Sequence, residues 1–140
     1  MTNSRGNILW VDDEIDHLKP HILFLEDKGF NISLTTNGPD AIALVKNETF
    51  HLVLMDQFMP GQDGIETVRQ LYELRPNLPV IMITKSEEEW LMDEAIGYQT
   101  THFLTKPVNP SQILMICKDI LESTKIKSDK TTKDYLHEFQ

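Results

Sequence analysis

Short runs of consecutive apolar residues punctuate the chain: Ile8-Leu9-Trp10-Val11, Leu52-Val53-Leu54-Met55, Val80-Ile81-Met82-Ile83 and the shorter Phe103-Leu104. Strands covered on both faces of a parallel sheet read this way. A fifth run, Ile32-Ser33-Leu34-Thr35, alternates apolar with polar and predicts a half-exposed strand nearer a sheet edge. Segments of helical spacing separate the runs, so the pattern predicts βαβ units built around a parallel sheet.

Five helices are expected. Ile15, Leu18, Ile22 and Leu25 form one apolar stripe that ends at Lys28-Gly29. Pro20 fits that helix only if its first turn starts near Asp16 or His17, where the lost amide has no helical partner. The second helix opens at Asn37-Gly38-Pro39, a capping residue followed by proline, and turns Ala41, Ile42, Leu44 and Val45 inward. The third runs from about Asp63 to Leu74 through Ile65, Val68 and Leu71 and stops before Pro76. The fourth begins at Ser86 with Glu89 completing a capping box and buries Trp90 or Leu91. The fifth opens at Asn109-Pro110 and carries Ile113, Ile116 or Cys117, and Ile120.

The chain has 140 residues, enough for one ordinary domain. After Glu122 the composition changes, so residues 5–122 are the expected domain and residues 123–140 a polar linker or the start of a following helical domain. Net charge is −9 and is uneven: residues 1–122 hold 9 basic and 19 acidic side chains, and the tail holds 4 and 3. So acidic a surface argues against nucleic acid as a partner of this domain. No segment is long and apolar enough for a secretory leader or a membrane span, and a lone Cys117 among isoleucines and leucines fits a buried thiol in a reducing compartment. A cytoplasmic domain is expected.

Chemistry concentrates at the strand ends. Asp12-Asp13 follow the first apolar run, Asp56 the third, Thr84 the fourth, and Thr105-Lys106 the last. In a doubly wound sheet all strands point one way, so these residues gather on one edge, where ligands bind at the topological switch point. Each alone reads as a cap, a strand terminus or a solvated lysine. Three carboxylates together repel one another and call for a cation. Magnesium suits them: it takes oxygen ligands, keeps several waters, and uses one or two carboxylates plus phosphate oxygens. Lys106 adds a point charge for a phosphoryl oxygen and Thr84 a hydroxyl donor. The set fits phosphoryl transfer. His17 and His21, spaced as helical metal ligands can be, lack a third ligand nearby, and Glu87-Glu88-Glu89 reads as a solvated first turn.

Residues 5–122 resemble the receiver domain of two-component response regulators. The resemblance is carried by V-D-D-E at Val11 to Glu14, M-D-Q-F-M-P-G-Q-D-G at Met55 to Gly64, V-I-M-I-T ending at Thr84, and F-L-T-K-P at Phe103 to Pro107. It implies a (βα)5 flavodoxin-like fold with strand order 2-1-3-4-5. It implies Asp56 as phosphoacceptor, Asp13 as a direct magnesium ligand, Asp12 acting partly through water, and the Phe58 carbonyl as a further ligand. Lys106 is then the partner of the phosphoryl group, with a cis bond before Pro107, and Thr84 and Phe103 are the switch pair. A sensor histidine kinase is the implied phosphodonor partner. The implied output is a change in the face formed by the fourth helix, fifth strand and fifth helix, used for homodimerisation or for an output domain. Phe58 stands where the family tunes dephosphorylation, and its bulk predicts a long-lived phosphoryl group. The stretches Thr84 to Gly97 and Lys106 to Pro110 are similar to PorX-type regulators of type IX secretion, in which a PglZ domain follows the receiver. Competing readings are a stand-alone chemotaxis-like receiver, an aspartyl-nucleophile phosphatase, and a receiver that folds without being phosphorylated. The resemblance implies a signalling switch and not a multiple-turnover enzyme.

Overall fold

The computed structural model describes residues 5–57, 64–84 and 100–129, with backbone only for 100–103 and 123–129. Five parallel strands, β1 (Gly6–Val11), β2 (Phe30–Thr35), β3 (Leu52–Asp56), β4 (Val80–Thr84) and β5 (Thr100–Thr105), form one sheet in the order β2-β1-β3-β4-β5. All four pairings are parallel, in the expected order. The expected strands are all present. β1 and β5 begin earlier than their apolar runs because Gly6-Asn7, Thr100 and His102 also pair in the ladder, with a register shift at Thr101, and backbone pairing needs no apolar side chain.

The helices are α1 (Lys19–Asp27), preceded by a 3-10 turn at Ile15–Leu18, α2 (Gly38–Asn47), α3 (Gly64–Leu74) and the C-terminal α4 (Pro110–Asp129). Pro20 sits in the first turn of α1, after the 3-10 segment, where its missing amide costs no helical bond. Asn37 caps α2, its side-chain oxygen accepting from the Asp40 amide at 2.8 Å. The fourth expected helix, from Ser86, lies outside the described residues. α4 continues to Asp129, past Glu122 where the composition changes.

Side-chain alternation along the central strands builds a core on each face of the sheet. Leu9, Val11, Val53, Met55, Val80 and Met82 pack with α2 and α3 through Ala41, Val45, Val68 and Leu71. Ile8, Trp10, Leu52, Leu54, Ile81 and Ile83 face the other way, toward α1 and α4 through Leu25, Ile113 and Cys117. β2 lies at the edge with half-buried Ile32 and Leu34, as its mixed pattern predicts. With both faces covered, the polar ends of β1, β3, β4 and β5 open at one rim.

Candidate functional site

The order β2-β1-β3 reverses the winding direction beside β1, so the C-terminal ends of β1 and β3 flank the crevice between oppositely wound crossovers. Asp12 follows β1 and Asp56 ends β3. Both are almost fully buried, 2% and 3% exposed, while Asp13 is exposed. Carboxylate oxygens of Asp12, Asp13 and Asp56 all lie within 4.8 Å of one another, the only such cluster of potential metal ligands among the described residues. Hydrogen bonds to the backbone fix Asp12. The Asp12 amide donates to the Thr35 carbonyl at 3.0 Å, and Asp12 Oδ1 accepts from the Glu14 amide at 2.8 Å.

Lys106 enters from the far side of β4. Its amide donates to the Thr84 carbonyl at 2.7 Å, and its side chain reaches back to place Nζ 3.3 Å from Asp56 Oδ1 and 3.7 Å from Asp12 Oδ2. Partial burial alone lowers the ammonium's pKa, but the charges of Asp12 and Asp56 outweigh it and the net shift is upward. Lys106 is therefore a fixed cation at neutral pH. Thr84, the last residue of β4, is 1% exposed. The Lys106-Pro107 peptide bond is cis, as the resemblance implies.

One cation against three carboxylates leaves the cluster two negative charges in excess, two of the acids being out of water. Hard, oxygen-only donors crowded to this degree fit a divalent cation such as magnesium, with Asp12, Asp13 and Asp56 as the holding residues. The Phe58 carbonyl falls outside the described residues. Phe103 lies in β5, paired in register with Met82, but its side chain is not among those described. Thus Asp12, Asp13, Asp56 and Lys106 are brought together, and Thr84 ends the strand between those bearing Asp56 and Lys106. His17 pairs with Glu14 at 3.0 Å and His21 Nε2 bonds the Val108 carbonyl at 2.6 Å, and neither belongs to a cluster of potential metal ligands among the described residues.

Two supporting residues carry no signal as isolated sequence positions. Gln57, 2% exposed, donates its amide to the Ile83 carbonyl and accepts from the Gly64 amide, locking β3 to β4 and to the start of α3. Gly64 packs so closely on β3 that a Cβ there would overlap the Asp56 carbonyl oxygen and press on Gln57 Cα and Met82 Cε. What the fold requires at Gly64 is close backbone approach. Beside the carboxylates a cavity of about 440 Å3 opens over Trp10, Ile83, Pro107 and Val108.

The response regulator receiver domain model matches residues 8–118. Among curated relatives, the transcriptional regulatory protein ResD of Bacillus subtilis is 34% identical over 114 residues, 81% of this chain and 47% of its own length. ZraR of Klebsiella oxytoca is 29% identical over 133 residues, 95% of this chain and 30% of its own. The chain therefore spans less than half the length of these relatives. Among solved structures, a CheY-like receiver domain of Methanospirillum hungatei superimposes with a TM-score of 0.79 at 28% identity, covering 86% of this chain and 97% of that one. A Borrelia burgdorferi CheX-CheY-BeF3-magnesium complex gives 0.74 at 29% identity, covering 81% and 87%. With the carboxylate cluster, the lysine and the strand order all in agreement, the chain belongs to the response regulator receiver domain family of two-component systems.

Proposed function

We propose that Asp56 accepts a phosphoryl group from a histidine kinase in a magnesium-dependent reaction. The observation that carries this is the Lys106 ammonium 3.3 Å from Asp56 Oδ1 within a three-carboxylate cluster. An Asp56 oxygen attacks phosphorus in line as the bond from phosphorus to the kinase imidazole nitrogen breaks, and the bonding pair leaves with that nitrogen. Lys106 neutralises charge on the transferring group, so positioning and electrostatics supply most of the acceleration. Asp12 and Asp13 hold the cation. Magnesium, when bound, offsets the carboxylate repulsion and adds positive charge at the phosphoryl oxygens. The relative captured with beryllofluoride and magnesium supports this reading.

The acyl phosphate adds charge and acceptor oxygens beside Thr84, which draws its hydroxyl toward the phosphoryl group and opens space for Phe103. A coupling of about 1–3 kcal/mol suffices to bias the output face that the resemblance assigns to β5, α4 and the segment between β4 and β5. That face governs dimerisation or an output domain in a longer protein, in the cytoplasm. The likeness of residues 84–97 and 106–110 to PorX-type regulators supports a place in type IX secretion control. The domain acts as a switch and not as a multiple-turnover enzyme. The discriminating experiment follows inorganic phosphate release from a phosphorylated kinase or from phosphate esters. Single stoichiometric uptake with slow release supports the switch, and sustained turnover of esters supports an aspartyl phosphatase instead.

A further inference from the structure

At the end of the sheet opposite the carboxylates, the loops leading into β3 and β4 border an open groove of about 790 Å3. That volume is within the range of small-molecule sites. Its floor is apolar: Val45 and Leu78 are buried, and Phe50 packs half-buried against the same core. Arg5, Lys46, Arg75 and His51 line it against one carboxylate, Glu48. This reverses the charge of the surrounding domain, where acids outnumber bases 19 to 9, and it uses two of the chain's three arginines.

The cations are arranged and largely uncompensated. Arg75 donates to the Leu74 and Val45 carbonyls at 3.0 and 3.3 Å, so its guanidinium is held by neutral acceptors. Neither Arg75 nor Lys46 forms an ion pair among the described residues. Arg5 is partly committed, 3.5 Å from Glu122. His51 Nδ1 accepts from the Asn7 amide at 2.9 Å, which leaves Nε2 as the protonated, donating nitrogen of the neutral ring. Cations at helix C-termini complement the helix dipole, and that explains Lys46 and Arg75 one at a time. It does not explain why they line one groove with Arg5 and His51 above an apolar floor.

We propose that this groove binds a small organic phosphate monoester, its ring or apolar body against Phe50 and Leu78 and its phosphate between Arg75, Lys46 and His51. Arg75, Lys46 and His51 come from three parts of the chain and line one groove, and a phosphate monoester, with about two negative charges and three terminal oxygens, offsets that positive lining better than a singly charged carboxylate. The test is an amide NMR titration of the full chain with AMP in metal-free buffer containing chelator, compared with adenosine and with inorganic phosphate. AMP is expected to give saturable shifts at Phe50, His51 and Asn77, with adenosine and inorganic phosphate each at least about tenfold weaker. Lys46→Gln and Arg75→Gln are each expected to weaken AMP about tenfold or more. Lys46 makes no side-chain hydrogen bond or ion pair among the described residues, so Lys46→Gln keeps the test valid if Arg75→Gln loosens α2 from α3. The proposal is overturned by shifts that do not saturate, by AMP binding that Lys46→Gln leaves intact, or by inorganic phosphate binding as tightly as AMP.

Discussion

The Lys106 ammonium stands 3.3 Å from Asp56 Oδ1, although β4 lies between the strands that carry them. The lysine thus spans the rim and partly neutralises two buried carboxylates that repel each other and Asp13. Lys106→Met is expected to destabilise the metal-free domain by roughly 1–3 kcal/mol, less than a fully buried pair because Nζ still meets solvent. Urea unfolding at neutral pH measures it.

The opposite sign is expected for the acids. Without metal, Asp56→Asn relieves repulsion in the cluster and should raise the melting temperature by a few degrees, ~1 kcal/mol. Magnesium should stabilise the wild type by roughly 1.4 kcal/mol at ten times its dissociation constant. Asp13→Asn should lose most of that magnesium effect. Thermal melts with magnesium and with chelator read both outcomes.

Gly64→Ala tests the packing that supports the site. Because the new Cβ would overlap the Asp56 carbonyl oxygen, α3 must move away from the end of β3, at a cost of roughly 2–3 kcal/mol. A loss below 0.5 kcal/mol in urea unfolding, on the order of an exposed substitution, would show that the close approach is not needed.

Burial pushes the Cys117 thiol from its ordinary 9.0 up to about 12. The unfolded thiol ionises first as pH rises, so the contribution to stability is complete below about pH 9 and is lost progressively toward pH 12. At pH 8, a thiol reagent should modify the native protein no faster than it unfolds and the urea-unfolded chain at once. Rapid native labelling would place Cys117 outside the core.

Much of this architecture was legible in the residues because period and position carried it. Apolar runs such as Leu52 to Met55 have no polar face, so they had to be central strands, and Asn37-Gly38-Pro39 announced α2 through capping chemistry. The carboxylates were legible because parallel strands bring sequence-distant ends to one rim. The early starts of β1 and β5 were not, since Asn7 and His102 pair in the ladder without belonging to an apolar run. The structural roles of Gln57 and Gly64, both within the Met55 to Gly64 motif, were not legible for a related reason: they lie in amide bonds and close approach, which residue type does not encode. The groove at the opposite rim was invisible because Arg5, Lys46, His51 and Arg75 have no common spacing and come to line one groove only when β1, α2, β3 and α3 are assembled.

The most direct measurement is the intact mass of the full chain after incubation with magnesium and acetyl phosphate, alongside Asp56→Ala and a chelator control. The wild type should gain one phosphoryl group, and neither Asp56→Ala nor the chelated sample should gain any. An unmodified wild type under these conditions, or equal modification of Asp56→Ala, would show that Asp56 is not the phosphoacceptor.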